Sequence, residues 1–227
     1  MAAAPQCVHT SRTREEDMTQ SREAQLDEPD VWGSFLREPA AYAHWEHLAQ
    51  CFDQAVSLAG SKRLLQCERL RERLSEVLNV HFELPPFSAA SEIEVDQVDR
   101  KIAAASPERL DDIALRAGAV YWGNVFAGTI LGRNAAALRE VLGADLSALA
   151  VANKDLAGPM QPLDPVETLR ARIEADGWRC LAAWCEAVDP AIGVRFRLKV
   201  PLSSALQEAP PESFYKTGPA IVRRTAL

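Results

Sequence analysis

Positive charge is scarce in this 227-residue chain: 25 Lys and Arg stand against 32 Asp and Glu, a formal net charge of −7. That deficit argues against a nucleic-acid binder, which draws affinity from a basic face that displaces counterions from phosphate. Cysteine is also sparse. Cys7, Cys51, Cys67, Cys180 and Cys185 are odd in number, and Cys180 and Cys185 match no zinc-ribbon or redox spacing. They read as free thiols of a reducing compartment. Long hydrophobic runs are absent. The longest uncharged stretch, residues 117–132, has 16 residues that include four glycines, Asn124 and Thr129. A membrane span needs ~20 predominantly apolar residues, so this stretch reads as a buried segment. Residues 1–4 are followed by Pro5, Gln6 and polar positions, without the ~7–15-residue apolar core of a signal peptide. Together these absences predict a soluble cytosolic protein.

What is present is a hydrophobic content of 48%, enough to offset the entropy of ordering and to exclude a wholly disordered chain. Charge is uneven. Residues 1–30 hold three Arg against seven Asp and Glu, and residues 191–227 hold six Lys and Arg against two Glu. Residues 1–30 show no sustained period and are expected to form a mobile tail. Order is expected from Val31, where Trp32, Phe35 and Leu36 cluster at helical spacing. Pro39 suits the first position of a helix running to about Leu58. Ser61 is a candidate N-cap for the next helix, with Leu64, Leu70, Leu74 and Val77 on one stripe, ended by Leu84-Pro85-Pro86. Ser106-Pro107-Glu108 opens another, carrying Leu110, Ile113, Ala114 and Ala117. A helix from Asn134 to Leu142 ends at Gly143, where a left-handed residue is wanted, and a short one follows from Asp145. Asp164-Pro165-Val166-Glu167 and Asp189-Pro190 are further start signals. The first leads a helix to Gly177, followed by a stripe of Trp178, Leu181, Trp184, Cys185 and Val188.

About eight helices with short connections, no strand–helix alternation and no fixed repeat predict an all-α fold. The expected organisation is a flexible N-terminal tail over 1–30, one helical domain over 31–202 and a flexible C-terminal tail over 203–227. Residues 92–96 and 194–200 alternate apolar with charged positions, acidic in one and basic in the other. Paired as a two-stranded ribbon they would match opposite charges; the preferred reading is helix for both, because an isolated ribbon is marginal.

Candidate chemistry is thin. His44, His47 and Cys51 fall at i, i+3 and i+7 of one helix, and all are competent zinc ligands, with Cys67 or His81 as a possible fourth. The competing reading sets them at the edge of the Trp45, Leu48 and Phe52 stripe. A Cys51 thiolate activated by His47 lacks any nameable orienting group or oxyanion site. Glycines 118, 123, 128 and 132 fit no phosphate loop and are better explained by close helix packing or by breaks between helices. Cys180 and Cys185 read as core residues beside Trp178 and Trp184. No catalytic, cofactor or metal residue is selected.

Four pieces, read in order, carry a resemblance: Leu115-Arg116-Ala117-Gly118-Ala119; Ala135-Ala136-Ala137-Leu138-Arg139-Glu140-Val141-Leu142-Gly143; the helix over 178–188 with Cys180-Leu181-Ala182-Ala183; and Arg195-Phe196-Arg197-Leu198-Lys199-Val200-Pro201. In these pieces the chain resembles the accessory sorting-platform protein of type III secretion systems, the SctK family that includes YscK and PscK. The likeness covers residues 106–201, more loosely 31–201, and neither tail. It implies a non-enzymatic helical adaptor in the bacterial cytoplasm, peripheral to the inner membrane but not inserted in it. Such an adaptor links the cytoplasmic domain of the ring protein SctD to the pod protein SctQ, and indirectly the stator-like SctL and the ATPase SctN. The resemblance implies neither a cofactor nor a catalytic motif. From charge rather than resemblance, Arg195, Arg197 and Lys199 are expected to form one docking surface for an acidic partner. The alternatives are a helical secretion chaperone or regulator that binds a client, and a metal or thiol enzyme built on His44, His47 and Cys51.

Overall fold

Helix-start chemistry sets the frame of the molecule. Ser106 accepts a hydrogen bond from the Arg109 amide, and Pro107 occupies the first turn of a helix that runs Pro107–Tyr121. Asp189 accepts from the Ala191 amide at the head of Pro190–Arg197, and Asp96 accepts from Val98 at the head of Gln97–Ala104. Each cap satisfies amides that a helix leaves without an internal partner.

The computed structural model describes residues 30–53, 55–128 and 133–226. Apart from Asp30, the expected N-terminal tail lies outside them. The described residues form twelve α-helices and no strand: α1 (Val31–Arg37), α2 (Trp45–Cys51), α3 (Leu58–Leu65), α4 (Arg71–His81), α5 (Phe87–Ser91), α6 (Gln97–Ala104), α7 (Pro107–Tyr121), α8 (Gly123–Gly128), α9 (Arg133–Ala152), α10 (Leu169–Ala187), α11 (Pro190–Arg197) and α12 (Glu212–Thr225). The all-α prediction holds. Residues Trp32–Leu227 make one compact unit.

Its main core is built around α10, which packs most extensively on α7 and α12. Leu110, Ile113, Ala114 and Ala117 of α7 meet Leu169, Ile173, Leu181 and Trp184 of α10, all fully or nearly fully buried. The two helices cross at glycine. A Cβ on Gly118 would lie 1.9 Å from the Ile173 carbonyl oxygen, and one on Gly177 would lie 1.7 Å from that of Ala114. A second, smaller core gathers Ala40, Leu48, Leu74 and Leu78, with Leu64, Leu65, Val77 and Phe82 against it. It unites α2, α3, α4 and a 3₁₀ turn at Pro39–Ala41.

Several expectations are corrected. Residues 203–227 are not a tail: α12 buries Phe214, Gly218, Ile221, Val222 and Thr225 on one helical stripe, and Tyr121 stacks on Phe214 with ring centroids 4.2 Å apart. The helix expected from Pro39 to Leu58 breaks into the 3₁₀ turn and α2. Beyond it, Asp53 has a left-handed φ of 47°, a conformation that aspartate tolerates better than most residues. Ser57, not Ser61, caps α3; Ser61 is buried inside it. Gly177 ends nothing. Helix α10 passes through it because the missing side chain is what allows α7 to approach. The start signal at Asp164-Pro165 yields only a 3₁₀ turn, Val166–Thr168, ahead of α10. Residues 92–96 are irregular rather than helical, and helix α11 accounts for 194–197 but stops before 198–200. Gly143 does interrupt α9 as expected, with φ 82° and ψ 168°, a region open to glycine alone.

Candidate protein-interaction site

The three bases expected at a docking surface turn inward. Arg195 is 1% exposed. Its Nε donates to the Leu36 carbonyl at 3.2 Å, one terminal nitrogen donates to Ala191 at 3.0 Å, and the other donates to Pro85. One guanidinium thereby ties α1, the turn after α4, and α11. The Lys199 ammonium donates to the Ala105 carbonyl at 2.8 Å. It lies 5.1 Å from the ring of Phe35, 5.3 Å from Tyr42 and 5.9 Å from Phe196. Burial pulls its pKa down to about 8, while the three ring faces favour the cation. Arg197 donates to the Leu206 carbonyl and pairs with Glu186 at 2.7 Å. The docking expectation for this trio is therefore corrected: these bases bind the chain's own carbonyls. Periodicity alone does not separate a solvated base from one that caps buried carbonyls.

His47 and Cys51 lie on α2 with their side chains already hydrogen-bonded, whereas His44 precedes the helix and its ring Nδ1 lies 3.7 Å from the Glu46 carboxylate. The Nε2–H of His47, a residue only 2% exposed, donates to the Val200 carbonyl at 2.8 Å. Burial lowers its pKa and keeps the ring neutral. The Cys51 thiol donates to the His47 carbonyl at 3.3 Å, and burial pushes its pKa up to about 11; a reactive thiolate needs the opposite shift. The His44 amide donates to Leu198 at 2.7 Å, and the Leu202 amide donates to Glu46 at 2.8 Å. Residues 44–47 therefore act as a clamp on 198–202. Among the described residues, no group of three or more His, Cys, Asp or Glu is placed to hold a metal ion. Cys180 and Cys185 lie in the main core, and burial raises both thiols.

Two carboxylates that sequence reasoning missed organise the interior. Asp99 accepts from the Trp184 indole at 2.8 Å and from two nitrogens of Arg223 at 2.8 and 3.0 Å, joining α6, α10 and α12. Asp176 accepts from the Trp122 indole at 2.8 Å and from Arg179 at 2.6 Å. Buried indoles need an acceptor, so the tryptophans were the available signal.

Among the described residues, one open groove of 610 Å³ lies between the N-terminal part of α7, the outer side of α10 and residues 199–205. Ala171, Glu174, Ala175 and Trp178 form the α10 wall, Pro107 and Asp111 the α7 wall, and Val200, Pro201 and Ala205 the third. His44, Lys199 and Ser204 complete the lining. Its surface is largely apolar and includes a half-buried tryptophan, a chemistry suited to seating another side chain.

Over 179 residues the chain is 28% identical to the nodulation protein NolU of Rhizobium fredii, a stretch amounting to 77% of this chain and 78% of that protein. The nodulation protein NolU of Sinorhizobium fredii (strain NBRC 101917 / NGR234) matches at 28% identity over 179 residues, with the same coverage of both chains. No family model matches the chain, and no solved structure matches it.

Proposed function

We propose that this protein is a non-enzymatic helical adaptor with a role in type III secretion. In the finer form of this reading it links an SctD-like inner-membrane ring protein to an SctQ-like pod protein in the sorting platform. Through the pods it acts on an SctL-like stator and an SctN-like ATPase. The observation that carries the reading is how the ionisable groups are used. The His47 imidazole, the Cys51 thiol and the bases Arg195 and Lys199 are hydrogen-bonded within the fold, whereas an open apolar groove remains at the surface. A molecule so arranged is suited to holding other proteins by its faces. The likeness to proteins named for nodulation fits a secretion-linked role at a host boundary. The four pieces that resemble the SctK family fall on α7, α9, α10 and the α11 region, and α7 and α10 are the most closely packed pair of helices in the unit.

The test is affinity purification of the full chain from its native cell, followed by mass spectrometry. Recovery of ring and pod components is the expected result. Recovery of secreted clients in stable 1:1 or dimeric complexes, without ring or pod components, would replace the adaptor with a chaperone.

A further inference from the structure

The groove beside α10 has an electrostatic character that its apolar lining conceals. Four ionisable side chains line it: His44, Asp111, Glu174 and Lys199. Lys199 is spent, its ammonium held by the Ala105 carbonyl and faced by three rings. His44 is kept neutral, because burial lowers its pKa more than neighbouring Glu46 raises it. Asp111 is exposed and Glu174 half-buried, and neither has an ion-pair or hydrogen-bond partner among the described residues. Two uncommitted carboxylates therefore flank an apolar floor of Ala171, Ala175 and Trp178, which recur at i, i+4 and i+7 along α10.

We infer that this groove receives a protein segment carrying an apolar side chain flanked by arginine or lysine. The apolar side chain seats against Trp178 and the small alanines, where a partner backbone approaches closely. The flanking cation meets Asp111 or Glu174, and a guanidinium gains further by stacking on the indole face. An acidic segment, or a nucleic-acid backbone, is turned away by the same carboxylates. An extended occupant fits better than an enclosed small molecule because the groove is open and bounded by three separate elements. The biological setting rests on the adaptor reading; the chemistry of the groove does not.

The probe is a short amphipathic peptide of leucine and lysine, labelled with a fluorophore and titrated with the full chain at physiological ionic strength. A counterpart with glutamate for lysine and another with serine for leucine serve as comparisons. The expected result is binding of the first peptide alone, weakened about tenfold or more by the double variant Asp111→Asn/Glu174→Gln. The control Glu72→Gln/Glu76→Gln, on a polar surface cleft away from the groove, is expected to stay within about twofold. Absence of binding, equal binding of the glutamate or serine peptide, or no loss in the groove variant overturns the proposal. Circular dichroism and the thermal midpoint of the Asp111→Asn/Glu174→Gln variant, both expected to match the wild type, separate loss of charge from loss of fold. The same groove variant in the native purification distinguishes the two claims. Undiminished recovery of ring and pod components sinks the groove and leaves the adaptor. Failure to recover them from the wild type, with the peptide pattern intact, sinks the adaptor and leaves the groove.

Discussion

Arg195 shows how far one side chain can stand from the role its sequence neighbourhood suggests. The Val-Arg-Phe-Arg-Leu-Lys-Val pattern marks a boundary between apolar and basic positions, but it carries no information about where carbonyls without helical partners will lie. Arg195 reaches the carbonyls of Leu36 and Pro85 from two other segments and that of Ala191 in its own helix, and a guanidinium offers enough donors in one plane to serve all three. Arg195→Ala removes a large, fully buried side chain and leaves the Leu36 and Pro85 carbonyls without this donor. The expected loss is about 3–5 kcal/mol, read as a lower urea midpoint. A docking arginine would leave that midpoint unmoved. His47 gives the pH signature. Burial holds its folded-state pKa below the unfolded value of about 6.5, so below that value the unfolded chain binds more protons than the folded one. The stability it contributes is complete above about pH 6.5 and is lost as the pH falls further. His44 shifts in the same direction and adds to the slope. His47→Gln keeps a donor for Val200 and does not titrate. Urea midpoints measured at about pH 7.5 and about pH 5.5 should fall less in this variant than in the wild type. An identical fall would remove His47 as a source of acid sensitivity.

At the scale of elements, local capping chemistry was legible and tertiary compensation was not. Ser106 and Asp189 each offer an oxygen before a proline-led first turn, and the helices start there. Pro219 and Gly177 misled for the same physical reason. A proline inside a helix costs ~3 kcal/mol or more, which makes residues 203–227 look irregular. Burial of Phe214, Ile221 and Val222 in α12 returns roughly 1.5–3 kcal/mol for each, so the helix persists through Pro219. Gly177 resembles a stop signal because helical glycine is ~1 kcal/mol worse than alanine. Here that cost permits the α7–α10 crossing. Gly177→Ala gains the helix propensity but drives a Cβ to 1.7 Å from the Ala114 carbonyl oxygen. That overlap cannot be relieved by a side-chain rotation, because both sides are backbone. The expected net loss is more than about 3 kcal/mol, measured by thermal unfolding. A neutral or stabilising outcome would mean the two helices are not in the close crossing described. Gly118→Ala, on the opposite face of the same contact, should behave alike.

At the scale of the whole molecule, the candidate site was illegible because its walls come from residues 44, 107–111, 171–178 and 199–205, which no local pattern brings together. The two-core organisation was equally hidden. Residues 39–82 read as two long helices, whereas four short elements form a core of their own. That small core meets the 198–202 segment through the clamp of residues 44–47, with hydrogen bonds of 2.7, 2.8 and 2.8 Å. Helices α7, α10 and α12 depend instead on one large continuous core. Opening free energies follow the buried contacts an element would lose, so the smaller core should open at lower cost than the larger. The double variant Glu46→Ala/His47→Ala cuts two of the three clamp bonds and leaves the main core untouched. In hydrogen exchange its α2–α4 amides should lose protection, by about tenfold or more in rate if ~1.5 kcal/mol of coupling is lost. Amides of α7, α10 and α12 should keep theirs. An equal rise in all six helices would show instead that the two cores unfold as one. The clamp would then be an ordinary part of a single cooperative structure rather than the joint between two.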